Sequence, residues 1–473
     1  FNEDHRLTLS RRQEKTYGLR ALREEFDFAQ SWRTARSISD LTPEDLAKGY
    51  TLVGGYVVDA NGNRIPNTAN NRVRYRILTH DTTNLEYHGA NLGFISKIKA
   101  NVYYKKDHRD EVMANPNSEL DGKVRTTGAN LNFDSTIFGK HTLKYGVNWR
   151  NQKAEPSVMS AGLHKEKKTD TGFYLEGIWD IEPVTLTTGL RYDRFNATFS
   201  NGKASGHNVN PSIGAIYDIT PELSLNASLN YASRSPRLTE VTLAGERVSH
   251  VAGDLKAEHS RNAEIGVKYN WNNALSLNAS YFNQQIKDVQ AVKNLPTKDH
   301  YLYYNGGTLK TYGYELDASY RWGGLTARAG VSYVKPRLNG EMYYGESPIQ
   351  AEDHESSFTF WNTGRQWLTG LSYQFENPKL EIGWRGRYAQ SVKYTDVARG
   401  QGTIHGKKSG YGVHDIYANW QPLKKDNLNV NFAVNNIGNK QYRSHSQRFP
   451  DGNGRVPFYE RGREFALGVN YRF

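Results

Sequence analysis

The feature that most constrains this chain is an alternation of apolar and polar side chains, sustained over segments longer than soluble sheets use. In "REFALGVNYRF" (463–473), Phe465, Leu467, Val469, Tyr471 and Phe473 alternate with Ala466, Gly468, Asn470 and Arg472. Successive side chains of a strand point to opposite faces, so each set would occupy its own face. The pattern recurs in "LNVNFAVNN" from Leu428, "LSLNASLNY" from Leu223, "LSLNASYF" from Leu275 and "LEIGWRGRY" from Leu380. The second face carries Asn, Ser, Glu and Arg, as a wall facing water would.

A soluble sandwich turns its apolar faces inward onto a shared core, and length decides against one. Segments 165–182, 183–197, 308–322 and 426–442 each run a dozen residues or more. Soluble strands usually have about 5–6 residues, whereas a tilted membrane strand needs about 9–11 for the hydrocarbon alone. The connections alternate as well. Short turns fall at 92–94, 138–141, 180–183, 218–222, 271–274, 322–324, 375–379 and 421–427. Long polar connections cover 19–72, 108–120, 152–165, 233–257, 287–307, 336–355, 391–408 and 441–457. This spacing predicts an all-β transmembrane antiparallel barrel of about eighteen strands, with long extracellular loops and short periplasmic turns. One helix is expected, in the first long connection. There "LTPEDLAKG" offers Thr42 as N-cap, Pro43 as first helical residue and Gly49 as a stop.

Composition narrows the function classes. No apolar run approaches the roughly eighteen residues of a membrane helix, an objection a barrel escapes because only every second residue must be apolar. The 31 Tyr, 18 Phe and 9 Trp suit aromatic girdles at the two membrane interfaces. Without Cys there is no disulfide, thiolate metal site or Cys nucleophile. The net charge of +12 is scattered through the chain, with no helix-turn-helix, zinc-finger or RNA-binding signature beside it. An anionic solute or lipopolysaccharide phosphate explains that charge better than nucleic acid, so no nucleic-acid partner is expected. No G-x-S-x-G, H-E-x-x-H or P-loop pattern occurs, and no enzyme activity is expected.

Several stretches resemble TonB-dependent outer-membrane receptors: "NPSIGAIYDITPELSLNASLNYASRSPRL" (210–238), "GDLKAEHSRNAEIGVKY" (253–269), "NGGTLKTYGYELDASY" (305–320) and "VNNIGNKQY" (434–442). Within that family, "GLRALREEF" (18–26), "TLKYGVNWR" (142–150), "GLRYDRF" (189–195) and "HSQRF" (445–449) resemble the neisserial iron-regulated receptors FrpB and FetA. The resemblance implies TonB-energised uptake of iron as a ferric siderophore, with a catecholate expected, across the outer membrane of a Gram-negative cell. Iron (Fe3+) is then cargo rather than a permanent cofactor. The implied partners are the ferric siderophore, the TonB complex through a plug domain, and outer-membrane lipid and lipopolysaccharide. Family members carry an N-terminal plug and about twenty-two strands. Residues 1–473 are therefore expected to be the C-terminal barrel portion, with the plug and two hairpins upstream of Phe1. An open porin-type channel and a receptor for haem or another metal chelate stay as alternatives.

Candidate site residues follow the strand tops and loops. Arg234 and Arg237 in "SRSPR" could meet an anionic ferric chelate by charge and hydrogen bonds. His300, Tyr301, Tyr303 and Tyr304 in "HYLYY" could ligate iron or stack on a catechol, and an aromatic girdle explains them as well. His445 and Arg448 lie in the last long loop, where no local spacing supplies a second metal ligand. Glu381, Arg385 and Arg387 share the polar face of one strand, where they would face the lumen or bond the plug.

Overall fold

The computed structural model describes residues 4–20, 33, 35, 38–65, 74–112, 120–155, 165–238, 248–297, 300–339, 341–342, 354–356, 363–398, 402–423, 427–445 and 459–472. Eighteen long strands make one antiparallel sheet. In chain order they are β1 His5–Arg20, β2 Arg74–Leu92, β3 Ile95–Val112, β4 Leu120–Ile137, β5 His141–Glu155 and β6 Glu166–Ile181. There follow β7 Val184–Phe199, β8 Gly202–Asp218, β9 Leu223–Arg234, β10 Glu258–Trp271, β11 Leu275–Lys287 and β12 Leu309–Trp322. The last six are β13 Leu325–Leu338, β14 Arg365–Phe375, β15 Lys379–Ala389, β16 Tyr411–Gln421, β17 Leu428–Asn435 and β18 Glu464–Tyr471. Each pairs with the next in sequence. Among the described residues, β1 and β18 each have a long-strand neighbour on one side only.

Register sorts the two faces as the alternation predicts. On one face Leu9 stands opposite Leu85, and Leu85 opposite Val102, all exposed. Exposed Leu175 and Leu190 are likewise paired. Apolar surface of this extent is stable only against lipid. The other face is polar and cross-linked. Asn101 donates to Asn84 at 3.0 Å, Asn130 to Asn101 at 3.1 Å, Asn148 to Asn130 at 3.0 Å and Arg191 to Asn148 at 3.1 Å. This ladder crosses six strands and satisfies polar groups sideways, strand to strand, as a wall without backbone partners on that face requires.

The short turns fall where expected, helped by Asn and Gly residues that tolerate positive φ, such as Asn91, Gly93, Asn272 and Asn273. The helix is present as α1, Pro43–Ala47, with the Thr42 hydroxyl accepting from the Asp45 amide at 3.2 Å and Asp45 accepting from the Thr42 amide at 2.9 Å. Gly49 closes it at φ +74°. Arg33 clamps the buried Asp45 carboxylate through both guanidinium nitrogens, at 2.6 and 2.5 Å. Backbone bonds from Val57 to Arg33 and from Arg33 to Ile65 tie the hairpin of Thr51–Val53 and Tyr56–Val58 to this clamp.

Three features depart from the sequence reading. Segment 426–442 was expected to be one long strand, but β17 ends at Asn435: Asn436 turns at φ +50°, its amide donating to Asp415 at 2.7 Å. At the long-loop end, β7 and β8 are joined by only Ser200 and Asn201, a tight turn that the list of long connections did not anticipate. Third, connections after β9, β11 and β13 share a four-stranded sheet of Val248–Val251, His300–Asn305, Gln290–Asn294 and His354–Ser356.

Candidate functional site

The polar face opens into a basin of about 830 Å3 at the long-loop end of β2–β9. Its floor is the inner row of the wall: Asn130, Asn148, Arg191 and Asp193. Arg191 binds Asp193 through Nε at 2.9 Å, and Asn210 reaches both Asp193 at 3.2 Å and Ser233 at 2.9 Å. Above this row the inner face of β7 changes character. Phe195, Ala197 and Phe199 replace its charges and form a small buried core with Ala204, Leu255 and Ala257.

That core exists because the connection after β9 folds inward over the short β7–β8 turn. Val251 donates to the Asn201 carbonyl at 3.2 Å, and Leu238 and Val251 pack on the aromatic cluster. Gly202 stands at φ +140°, a conformation L side chains rarely adopt, and a Cβ there would crowd Val251 Cβ at 3.1 Å. The inward path carries Ser235 and Arg237 into the basin wall. Ser235 Oγ donates to Asp170 Oδ1 at 2.8 Å, and the same carboxylate takes Arg150 at 2.9 Å and Lys168 at 3.2 Å. Lys168 is only 4% exposed.

The two arginines of "SRSPR" therefore separate. Arg234 is committed to Glu258 at 2.5 Å; that carboxylate is 4% exposed and also accepts the Gln290 amide at 2.8 Å. Arg237 is exposed, lines the basin and has no carboxylate partner among the described residues. "HYLYY" lies in one of the two inner strands of the loop sheet, pairing in parallel with Val248–Val251 and antiparallel with Gln290–Asn294; Tyr303 and Tyr304 are half-buried. His445 is 1% exposed, with Nδ1 2.8 Å from the Thr363 carbonyl and Nε2 3.1 Å from the Ser409 carbonyl. Both ring nitrogens are occupied in tying loops together. Arg448 lies outside the described residues.

Along β15, Glu381 accepts from Tyr417 Oη at 2.9 Å and Asn419 Nδ2 at 3.0 Å. Arg385 sits 4.5 Å over the Tyr417 ring, and Arg387 lies 3.4 Å from Asp415. Sequence reasoning missed Arg150, Lys168, Asp170 and the pair His80–Asp107. In that pair Nδ1 lies 2.5 Å from Oδ1, and both residues line the basin. The available signal was position: each is on the inner register of a strand longer than a membrane requires. Among the described residues no three His, Asp or Glu side chains come together to hold a metal ion.

Comparison with known proteins gives a consistent result. The profile of the "TonB dependent receptor-like, beta-barrel" family matches residues 6–437. The solved FrpB iron transporter from Neisseria meningitidis (F5-1 variant) superposes with a TM-score of 0.81 at 35% identity, covering 100% of this chain and 71% of that one. The TonB-dependent heme receptor A of Haemophilus ducreyi is 23% identical over 435 residues, 76% of this chain and 57% of its own length. The heme transporter BhuA of Brucella ovis is 22% identical over 432 residues, 84% of this chain and 58% of its own. The chain thus spans rather more than half the length of these curated relatives. Strands, register, lipid-facing surface and profile agree: this chain belongs to the TonB-dependent receptor β-barrel family of the Gram-negative outer membrane.

Proposed function

We propose that the protein imports iron as an anionic ferric chelate, a catecholate siderophore first among the candidates, in a step energised by TonB. The observation that carries this reading is the basin, where Arg150, Lys168 and Arg237 converge beside the aromatic core on Phe195 and Phe199. A ferric tris-catecholate offers negative charge to the cations, and Arg recognises planar oxyanions well. Tyr301, Tyr303, Tyr304 and Arg448 belong to the loops through which the chelate arrives; Arg234 and His445 hold those loops in place.

We further propose that residues 1–473 are the C-terminal barrel portion of a longer receptor. Two hairpins would complete the sheet between β1 and β18, each of which has one long-strand neighbour among the described residues, and a plug would fill the lumen. Glu381, Arg385 and Arg387 then face the plug. Binding of a ferric tris-catecholate by the full-length receptor, and its uptake by cells with and without TonB, test the proposal. Uptake that persists without TonB, or high single-channel conductance of the full-length protein, would instead support an open porin.

A second reading, haem uptake, is favoured by His80. Asp107 engages its Nδ1, the arrangement that orients the remaining ring nitrogen toward a metal. A porphyrin iron needs only one or two protein ligands. Haem binding with a Soret band that shifts in His80→Ala would select this reading.

A further inference from the structure

Asp170 stands where three elements meet on one carboxylate: Arg150 from β5, Lys168 from its own strand β6, and Ser235 from the inward-folded connection after β9. Lys168 is too deeply buried to turn toward water, and Arg237 lies near enough to act on its charge. Cations held this close repel one another unless an anion stands between them. Asp170 supplies that anion, and it lines the basin the chelate would enter.

We infer that Asp170 is a specificity-determining residue: it is the resident counter-anion of the empty basin, and an incoming anionic chelate takes its place on Arg150, the more exposed of its two cations. The inference rests on the proposed anionic-chelate function. Two consequences follow from the contacts. A neutral solute cannot compete with a carboxylate for that cation, so Asp170 rejects neutral chelates of similar size. The Ser235 tie is also lost when Asp170 yields, so anion binding loosens the connection after β9 at its polar anchor.

The test uses the full-length receptor in detergent, with a ferric tris-catecholate and a neutral ferric trihydroxamate as probes. Asp170→Asn keeps the shape and an acceptor for Ser235 but removes the competing charge. It is expected to tighten the anionic probe about tenfold, a change of about 1.4 kcal/mol, and to admit the neutral probe that wild type rejects. Because the chain has no cysteine, a nitroxide on Asp254→Cys reports the connection cleanly. It should gain mobility when the anionic probe binds wild type, and be mobile without ligand in Ser235→Ala. Anionic affinity unchanged or weakened in Asp170→Asn would overturn the inference and make Asp170 a structural brace. A label unmoved by the anionic probe would also overturn it. Wild type that binds neither probe would sink the chelate reading itself, and this inference with it.

Discussion

Strands β1–β8 run 15 to 19 residues, whereas β14–β18 run 8 to 11. At about 3.3 Å per residue and a tilt near 40°, a seventeen-residue strand rises roughly 43 Å and an eleven-residue strand roughly 28 Å. The apolar band of such barrels is about 25 Å tall. The eleven-residue strands β14–β16 are therefore sized to the membrane, and the early ones stand about 15 Å above it. The same alternation serves two ends. In the low wall the inner charges are satisfied locally, Glu381 by hydrogen bonds from Tyr417 and Asn419 and Arg387 by Asp415. In the tall wall the surplus carries the basin, its shared carboxylate and the aromatic core. Membrane thickness sets a minimum strand length, and what exceeds it is free to become a binding surface.

The largest expected effect contrasts two ion pairs. Arg234→Ala leaves Glu258 buried without its cation and should destabilise the extracellular region by about 3–5 kcal/mol. Arg387→Ala, in the low wall, should cost under about 1 kcal/mol because the Arg387 side chain is 46% exposed and its contact with Asp415 is 3.4 Å long. Equal shifts in thermal unfolding would erase the distinction.

Lipid exposure gives the next test. Leu175→Arg should cost about 2–4 kcal/mol in bilayer folding titrations, and Thr169→Arg, near the top of the same strand, about 0–1. Similar costs at both would mean that the tall wall is not above the hydrocarbon.

Ligand binding should sharpen the contrast further. Arg237→Ala is expected to weaken ferric tris-catecholate binding about tenfold, or about 1.4 kcal/mol, without a change in melting temperature. Arg385→Ala should leave binding within about twofold.

The smallest effect concerns pH. The paired bonds from Arg33, helped by the Thr42 contacts and opposed by burial, hold the Asp45 carboxyl well below the usual carboxylate range. A depressed folded-state pKa stabilises above the unfolded value, so this contribution is complete above about pH 4 and fades as the pH falls further. Trypsin cleavage at Lys48 should be slow at pH 7, and acid pulses should expose it; Asp45→Asn should be cleaved readily at pH 7.

Much of the sheet was legible because its determinants are local. Alternation, turn residues and capping each lie within a dozen residues, so the strands, the short turns and the Thr42 cap can be read directly. The basin was not. Ser235 meets Asp170 across 65 positions, and no period in the sequence announces that a connection folds inward. Arg234 and Arg237 were recognisable as a pair, but burial of Glu258, which divides their roles, depends on Gln290 from another connection. Lys168 and Asp170 read as ordinary inner-wall residues until strand height is known.

The sheet shared by Val248–Val251, Gln290–Asn294, His300–Asn305 and His354–Ser356 has a dynamic consequence. Segments joined by one hydrogen-bonded ladder cannot open singly; they form a foldon with one opening free energy. In hydrogen exchange their amides should lose protection together, at a common rate distinct from that of the hairpin Val392–Ala398 and Gly402–Lys408, which among the described residues pairs only with itself. Three connections of the receptor would then yield to a visitor as a single cooperative door.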